Sequence, residues 1–162
     1  MTKHMTYSAQ RKARDADLLS VHIENRARGY RPPRRMIEAI LRDEYVRRRA
    51  EPATIRLQLL SDTQIARLHK EFFNLPDPTD VISFPDGEAD PDTGIVHLGD
   101  VAVGVRVAEC EAAARGLDAN REVALYALHG LLHLLGMDDR NVIGRRAMAR
   151  AQAAAMRRVN ID

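Results

Sequence analysis

His129-Gly-Leu-Leu-His133-Leu-Leu-Gly136-Met-Asp138-Asp139 is the run around which this chain is organised. Its two histidines stand four residues apart, so on a helix they share one face about one turn apart and both imidazoles can reach a single ion. Gly136 is placed to stop that helix, because glycine takes the left-handed conformation cheaply just past a last turn. The chain can then double back and bring Asp138 or Asp139 to the same point. Two imidazoles and a carboxylate with a fourth position open form a catalytic zinc pattern rather than a structural one. The preceding residues, Val123 to Leu135, are apolar nearly all round, as in a helix buried at the centre of a domain. The plain alternative is that each histidine is a satisfied core residue. Two on one face are harder to satisfy without a shared partner, since a buried unpaired polar group costs roughly 1–3 kcal/mol.

The spacing is similar to the His-Glu-x-x-His-x-x-Gly-x-x-His signature of metzincin peptidases, with two changes. Their glutamate is the general base that activates water; Gly130 stands in its place, and Asp139 in place of the third histidine. Glu122 is no substitute, being about two helical turns before His129. The metal scaffold survives these changes and the peptidase chemistry does not.

Outward from this run, hydrophobic period marks the other elements. Leu19, Val21 and Ile23 alternate as in a half-buried strand, and Thr54 to Leu60 alternates again. Met36, Ile37, Ile40 and Leu41 fall at helical spacing within Arg34 to about Arg49, after Pro32-Pro33 and before Pro52. Ser61 with Gln64 makes a capping box for a helix whose inner face is Ile65, Leu68 and Phe72. Val81 to Phe84 is a short strand, and Ile95 to Val103 a longer one carrying Gly99-Asp100, where an interior glycine marks a bulge or a close approach of backbone. Helices are predicted for Val105–Arg115, stopped at Gly116, for the histidine segment, capped by Asp118 or Asn120, and for Asn141 to about Arg157. Cys110 is predicted to be a small buried hydrophobe. The fold expected is α/β (α+β): a loose arm over residues 1–15, then a single compact domain over 16–160. That domain has about four strands in a mixed sheet and about five helices, with the metal site on a central buried helix.

Composition narrows the class. The chain has 162 residues, 45% of them apolar and 30% charged, as in an ordinary globular domain. A single cysteine excludes an intrachain disulfide and a multi-cysteine metal site, and fits a reducing compartment. No stretch reaches the ~18 apolar residues of a membrane span, and residues 1–17 lack an apolar signal core, so a cytoplasmic protein is expected. Net charge is only +2, but arginines cluster at 26–35, 47–49 and 145–158, with a further basic group at Arg11-Lys12-Ala-Arg14. Arginine forks suit phosphate, although solvated helix faces explain most such clusters.

Three ordered segments, Pro78-Thr-Asp-Val-Ile-Ser-Phe-Pro85, Leu98-Gly-Asp-Val-Ala-Val103 and His129 to Asp139, together resemble the YbeY endoribonuclease family, from about Ser20 to Met137. The resemblance implies a metal-dependent hydrolase, usually assigned zinc, that cuts single-stranded RNA. It implies work at the 3′ end of small-subunit (16S) ribosomal RNA and in ribosome quality control, with ribosomal RNA and the ribosome or its subunits as partners. By position the ligands are His129, His133 and Asp139, holding one zinc ion or another transition metal per chain. Thr79, Asp80 and Asp100 line or support the same cleft, with Asp80 or Asp100 orienting or deprotonating the water. The family's third histidine is here a carboxylate, which is still a zinc ligand and lets harder ions such as manganese compete better. Asp138 is the alternative third ligand. Many members carry an arginine in the helix before the Pro78 segment; here Phe73 stands in its place. Two other readings stay open: a ribosome-associated RNA-binding factor whose metal is structural or lost, and, from spacing alone, a metallopeptidase.

Overall fold

Alternating strands need a helix on each apolar face, and this chain supplies them unequally. The structure, a computed structural model, describes residues 18–159. The elements run β1 (Leu19–Asn25), α1 (Arg34–Arg48), β2 (Ala53–Leu60), α2 (Asp62–Phe73), β3 (Val81–Pro85), β4 (Val96–Gly104), α3 (Val105–Arg115), α4 (Ala119–Leu134) and α5 (Val142–Arg158). The strands form one mixed sheet in the order β1-β2-β4-β3, with β3 antiparallel to β4 and the other pairs parallel. The four strands and five helices among the described residues are those the periodicity predicts. The expected arm over residues 1–15 lies outside the described residues.

The larger core lies on one face of the sheet. Ile55, Leu57 and Leu59 of β2 and Val101 and Val103 of β4 are fully buried there against α1 and α4. Helix α4 brings Leu128, Leu131 and Leu132, each without measurable exposure, and each such burial contributes roughly 1.5–3 kcal/mol. The other face is covered only in part. Helix α2 packs Ile65 on Leu60, Ile82 and Ala102, and the rest of that face is a polar ladder across Glu24, Arg56 and Asp100.

The local signals act as the sequence predicts. Ser61 and Gln64 close a capping box at the start of α2. Of the two expected caps for α4, Asp118 is the one used, accepting from the Asn120 amide at 2.9 Å. Asn120 instead accepts from the Tyr30 hydroxyl at 3.2 Å. The glycine inside β4 marks a bulge: Thr54 pairs with His97 but Ile55 with Gly99, leaving Leu98 as the extra residue. Three expectations change. Phe72, expected on the inner face of α2, is 57% exposed in the helix's last turn, with its ring edge-on to Phe84. Cys110 is exposed, because the buried stripe of α3 is Val105, Ala108 and Ala112, and a residue two past Ala108 points away from it. Several clustered arginines are spent within the fold: Arg48 and Arg158 hold the buried Glu44 carboxylate at 2.6 and 2.5 Å, and Arg158 also meets Asp43 at 2.8 Å.

Candidate metal centre

The site is built by the last turn of α4 and the chain just after it. His129 and His133 sit on the one flank of α4 that the core leaves half-buried. Gly136 takes φ +96°, the left-handed turn that ends the helix. The chain then folds back against the start of α5, where Asn141 caps by accepting from the Gly144 amide at 2.7 Å. Only glycine fits at 144, since a β-carbon there would stand 1.9 Å from the Asp138 carbonyl oxygen. Arg49, just beyond α1, ties the turn down by donating to the Leu135 carbonyl at 2.9 Å.

This return places Asp139 at the histidines. Its Oδ2 lies 3.4 Å from His129 Nε2 and 3.5 Å from His133 Nε2, and the two Nε2 atoms are 3.0 Å apart. Ligand atoms around a tetrahedral zinc, each at its usual bond length, stand roughly 3.3–3.6 Å from one another. Both distances to Asp139 fall in that range and the two imidazole nitrogens stand a few tenths of an ångström closer, so a small parting of the rings lets the three side chains hold one such ion. Asp138 is turned elsewhere: its carboxylate accepts from the Arg140 amide at 2.9 Å and from Arg140 Nε at 2.9 and 3.0 Å. Those bonds hold its pKa below the usual carboxylate range.

The electrostatics suit a cation. Burial, and after it the neighbouring His133, holds the His129 imidazole below its ordinary pKa, which keeps a lone pair ready for a metal. The nearby charges of Asp139 and Asp80 work the other way, towards a positive centre. His129 Nδ1 meets the side-chain amide of Gln152 on α5 at 3.1 Å. The Gln152 atom at that distance is Nε2; were His129 Nε2 to hold a metal, Nδ1 would carry the ring proton and the amide would turn its oxygen to accept it.

The cluster forms one wall of a cavity of about 610 Å³. Thr79, Asp80, Val81 and Ser83 line the same cavity, with His69 and the exposed Phe73 at its lip. Asp80 is thus brought to the site, and it also closes its own turn by accepting from the Val81 amide at 2.7 Å. Gly104 permits the approach of that loop: a β-carbon there would lie 2.3 Å from the Thr79 carbonyl oxygen, and its amide donates to the Asp80 carbonyl at 2.8 Å.

Asp100 is not brought to the cleft. Neighbouring Val101 meets Gly130 of α4, so Asp100, one residue earlier in the strand, projects to the opposite face. There its Oδ1 accepts from His97 Nε2 at 2.9 Å and its Oδ2 lies 3.6 Å from Arg56. The bulge at Leu98 is what lets residues 97 and 100 share a face. His97 completes the chain of contacts by accepting from the Thr54 hydroxyl at 2.8 Å.

Gly130 closes the peptidase alternative by sterics as well as by chemistry. A β-carbon there would stand 2.3 Å from Val101 Cγ1, so the sheet occupies the space where a glutamate would begin. Sequence reasoning missed His69, Gln152, Gly104 and Gly144. His69 and Phe73, at i and i+4 on one helix, carried a signal for a shared face. The other three are ordinary in sequence and acquire their roles through contacts with distant segments.

The comparisons agree with this geometry. A family model described as Endoribonuclease YbeY matches residues 12–160. A Synechococcus protein named Endoribonuclease YbeY is 37% identical over 119 residues, covering 69% of this chain and 72% of its own. The protein of that name from Pelotomaculum thermopropionicum is 35% identical over 114 residues, covering 68% and 75%. A Thermotoga maritima protein solved in solution superposes with a TM-score of 0.59 at 22% identity, over 85% of this chain and 87% of that one, a likeness of fold. From the family match and these relatives, carried by a chain whose two helical histidines and returning aspartate converge on one point, we conclude that the protein belongs to the YbeY family.

Proposed function

We propose that this protein is a zinc-dependent endoribonuclease that hydrolyses single-stranded RNA, acting in the maturation of the small-subunit ribosomal RNA 3′ end and in ribosome quality control. The observation that carries the reading is the convergence of His129, His133 and Asp139 at metal-ligand spacing on the wall of an open cavity. The relatives' shared name, an endoribonuclease, supplies the substrate class. No helix of the described residues is long and apolar enough to cross a membrane.

His129, His133 and Asp139 would hold a divalent ion, which would supply a Lewis acid that lowers the pKa of a bound water and draws charge from a phosphoryl oxygen. Around it, the chain's own groups divide the remaining work. Asp80 lines the cavity with the ligands and its charge reaches His129, which supports a role in orienting a water and taking its proton. Asp100 belongs to the Arg56–His97 network behind the sheet and acts by holding β4, not at the reacting phosphate. Gln152 positions the His129 ring.

The test is cleavage of a single-stranded oligoribonucleotide by purified protein. Cleavage is expected to disappear on chelation, return with zinc, and be absent from His133→Ala throughout. Cleavage that survives both chelation and His133→Ala would sink the proposal. Co-sedimentation with ribosomal particles unchanged by chelation, without any cleavage, would make the protein an RNA-binding factor instead.

The role of Gln152 has its own check. Gln152→Met removes the side-chain amide beside His129 Nδ1 and is expected to weaken zinc binding about 10–100-fold. Gln152→Glu, which can only accept, is expected to bind zinc at least as tightly as the wild type. Titration of metal-free protein against a competing chelator reads both. Equal affinity in Gln152→Met would remove Gln152 from the site.

A further inference from the structure

The lip of the cavity carries chemistry that metal ligation does not use. Phe73 is 54% exposed and, unlike the other exposed large apolar side chains of the described residues, lines the cavity. It is the last residue of α2, because Asn74 takes the left-handed conformation at φ 56° and stops the helix there. Its neighbour Phe72, 57% exposed, stands edge-on to Phe84 with ring centroids 4.9 Å apart and does not line the cavity. Phe73 instead stands beside His69, at 5.9 Å between centroids and tilted by 56°. The His69 ring is itself pinned, its Nδ1–H donating to the Asp77 carbonyl at 2.7 Å. Both rings line the same cavity as the metal ligands.

Among the described residues, no lysine or arginine lines that cavity, so none of them offers a phosphate a cation there. What the lip offers is an exposed aromatic face in the same cavity as the ligands. Every nucleobase has a π-face, and base–aromatic stacking is the sequence-tolerant way to hold a single strand. A duplex keeps its bases paired and stacked on one another, out of reach of such a platform.

We infer that Phe73, flanked by His69, stacks an unpaired nucleobase beside the phosphodiester placed at His129, His133 and Asp139. This assignment rests on the nuclease reading above and makes Phe73 the residue that selects single-stranded over paired RNA.

The chain contains no tryptophan, so Phe73→Trp introduces one fluorophore at the platform. Zinc-loaded Phe73→Trp is titrated with a single-stranded 2′-O-methyl oligoribonucleotide, which resists cleavage, and Phe73→Ala is measured beside it by fluorescence anisotropy. The indole is expected to be quenched on binding, with affinity kept. Phe73→Ala is expected to lose about fivefold to a hundredfold in affinity. An abasic residue walked along the oligonucleotide should weaken wild-type binding at one position and leave Phe73→Ala unaffected there. In turnover, Phe73→Ala should raise KM more than it lowers kcat, because contact with a base away from the reacting phosphate is uniform binding. An unquenched indole, or a Phe73→Ala affinity equal to that of the wild type, overturns the inference. If the indole is quenched but wild-type protein cuts no RNA, the stacking site stands and the nuclease reading fails. If RNA is cut and the indole is not quenched, the stacking site alone fails.

Discussion

Asp139→Ala is expected to empty the metal site, and Asp138→Ala to leave it filled. The two residues are adjacent and chemically identical, so composition cannot separate them; their partners do. Asp139 Oδ2 lies 3.4 and 3.5 Å from the two histidine nitrogens, whereas the Asp138 carboxylate is saturated by the amide and guanidinium of Arg140. Removing one of three protein ligands costs more than losing an outer partner, which already takes roughly 10–100-fold from metal affinity. Elemental mass spectrometry should find one zinc per chain in the wild type and in Asp138→Ala, and almost none in Asp139→Ala. RNA cleavage should follow the metal. Thermal melting gives a second readout. A metal at a hundredfold excess over its Kd stabilises the folded state by ~2.7 kcal/mol, roughly 5–10 °C in Tm for a chain of this size. Asp139→Ala should lose that increment while melting like the metal-free wild type without it. The reverse pattern, metal kept in Asp139→Ala and lost in Asp138→Ala, would exchange the two assignments.

Gly130→Glu restores on paper the general base of a zinc peptidase, and it is expected to unfold the protein instead. A β-carbon at 130 would stand 2.3 Å from Val101 Cγ1 and 2.9 Å from Cγ2. Val101 is a β-branched residue of a central strand with no exposed surface, so it has little room to yield. Overpacking of a core by a methyl or methylene group costs about 1–3 kcal/mol, and a carboxylate forced into the helix–sheet interface adds several more. Against a typical stability of ~5–15 kcal/mol, that total is most of what holds a domain folded. Gly130→Ala separates the two effects. It suffers the overpacking but gains about 1 kcal/mol of helix propensity, so it should fold and melt a few degrees below the wild type. Circular dichroism melts decide this. A Gly130→Glu protein with wild-type Tm and metal-dependent proteolysis would show that the face between α4 and β4 is open, and would revive the peptidase reading.

Much of the fold was legible because its elements are local. The alternation of Leu19, Val21 and Ile23 and of Ile55, Leu57 and Leu59 is a period of two that only a strand can place on one face. The Ser61–Gln64 box and the Gly116 stop act within one turn of chain. The histidine pair was legible for the same reason, four residues being one helical turn. Asp100 was not. Which face of the sheet it takes depends on the bulge at Leu98, and a one-residue slip turns a side chain to the other face. Cys110 failed similarly: α3 has a narrow buried stripe, and only its docking on α4 and the sheet determines which side that is.

The sequence by itself determined the helix, its termination at Gly136, the two imidazoles on one face and the removal of a peptidase base at Gly130. These follow from the period of a helix and the chemistry of single side chains. The tertiary structure alone decided that Asp139 rather than Asp138 turns inward. It also decided that Gln152, more than twenty residues on, holds His129, that Asp80 shares the cavity while Asp100 backs the sheet, and that Phe73 stands at the lip. Each of these depends on how segments distant in the chain meet. The glycines that permit the approach, Gly104 beneath Thr79 and Gly144 against Asp138, carry no mark in the sequence until the backbone that presses on them is in place.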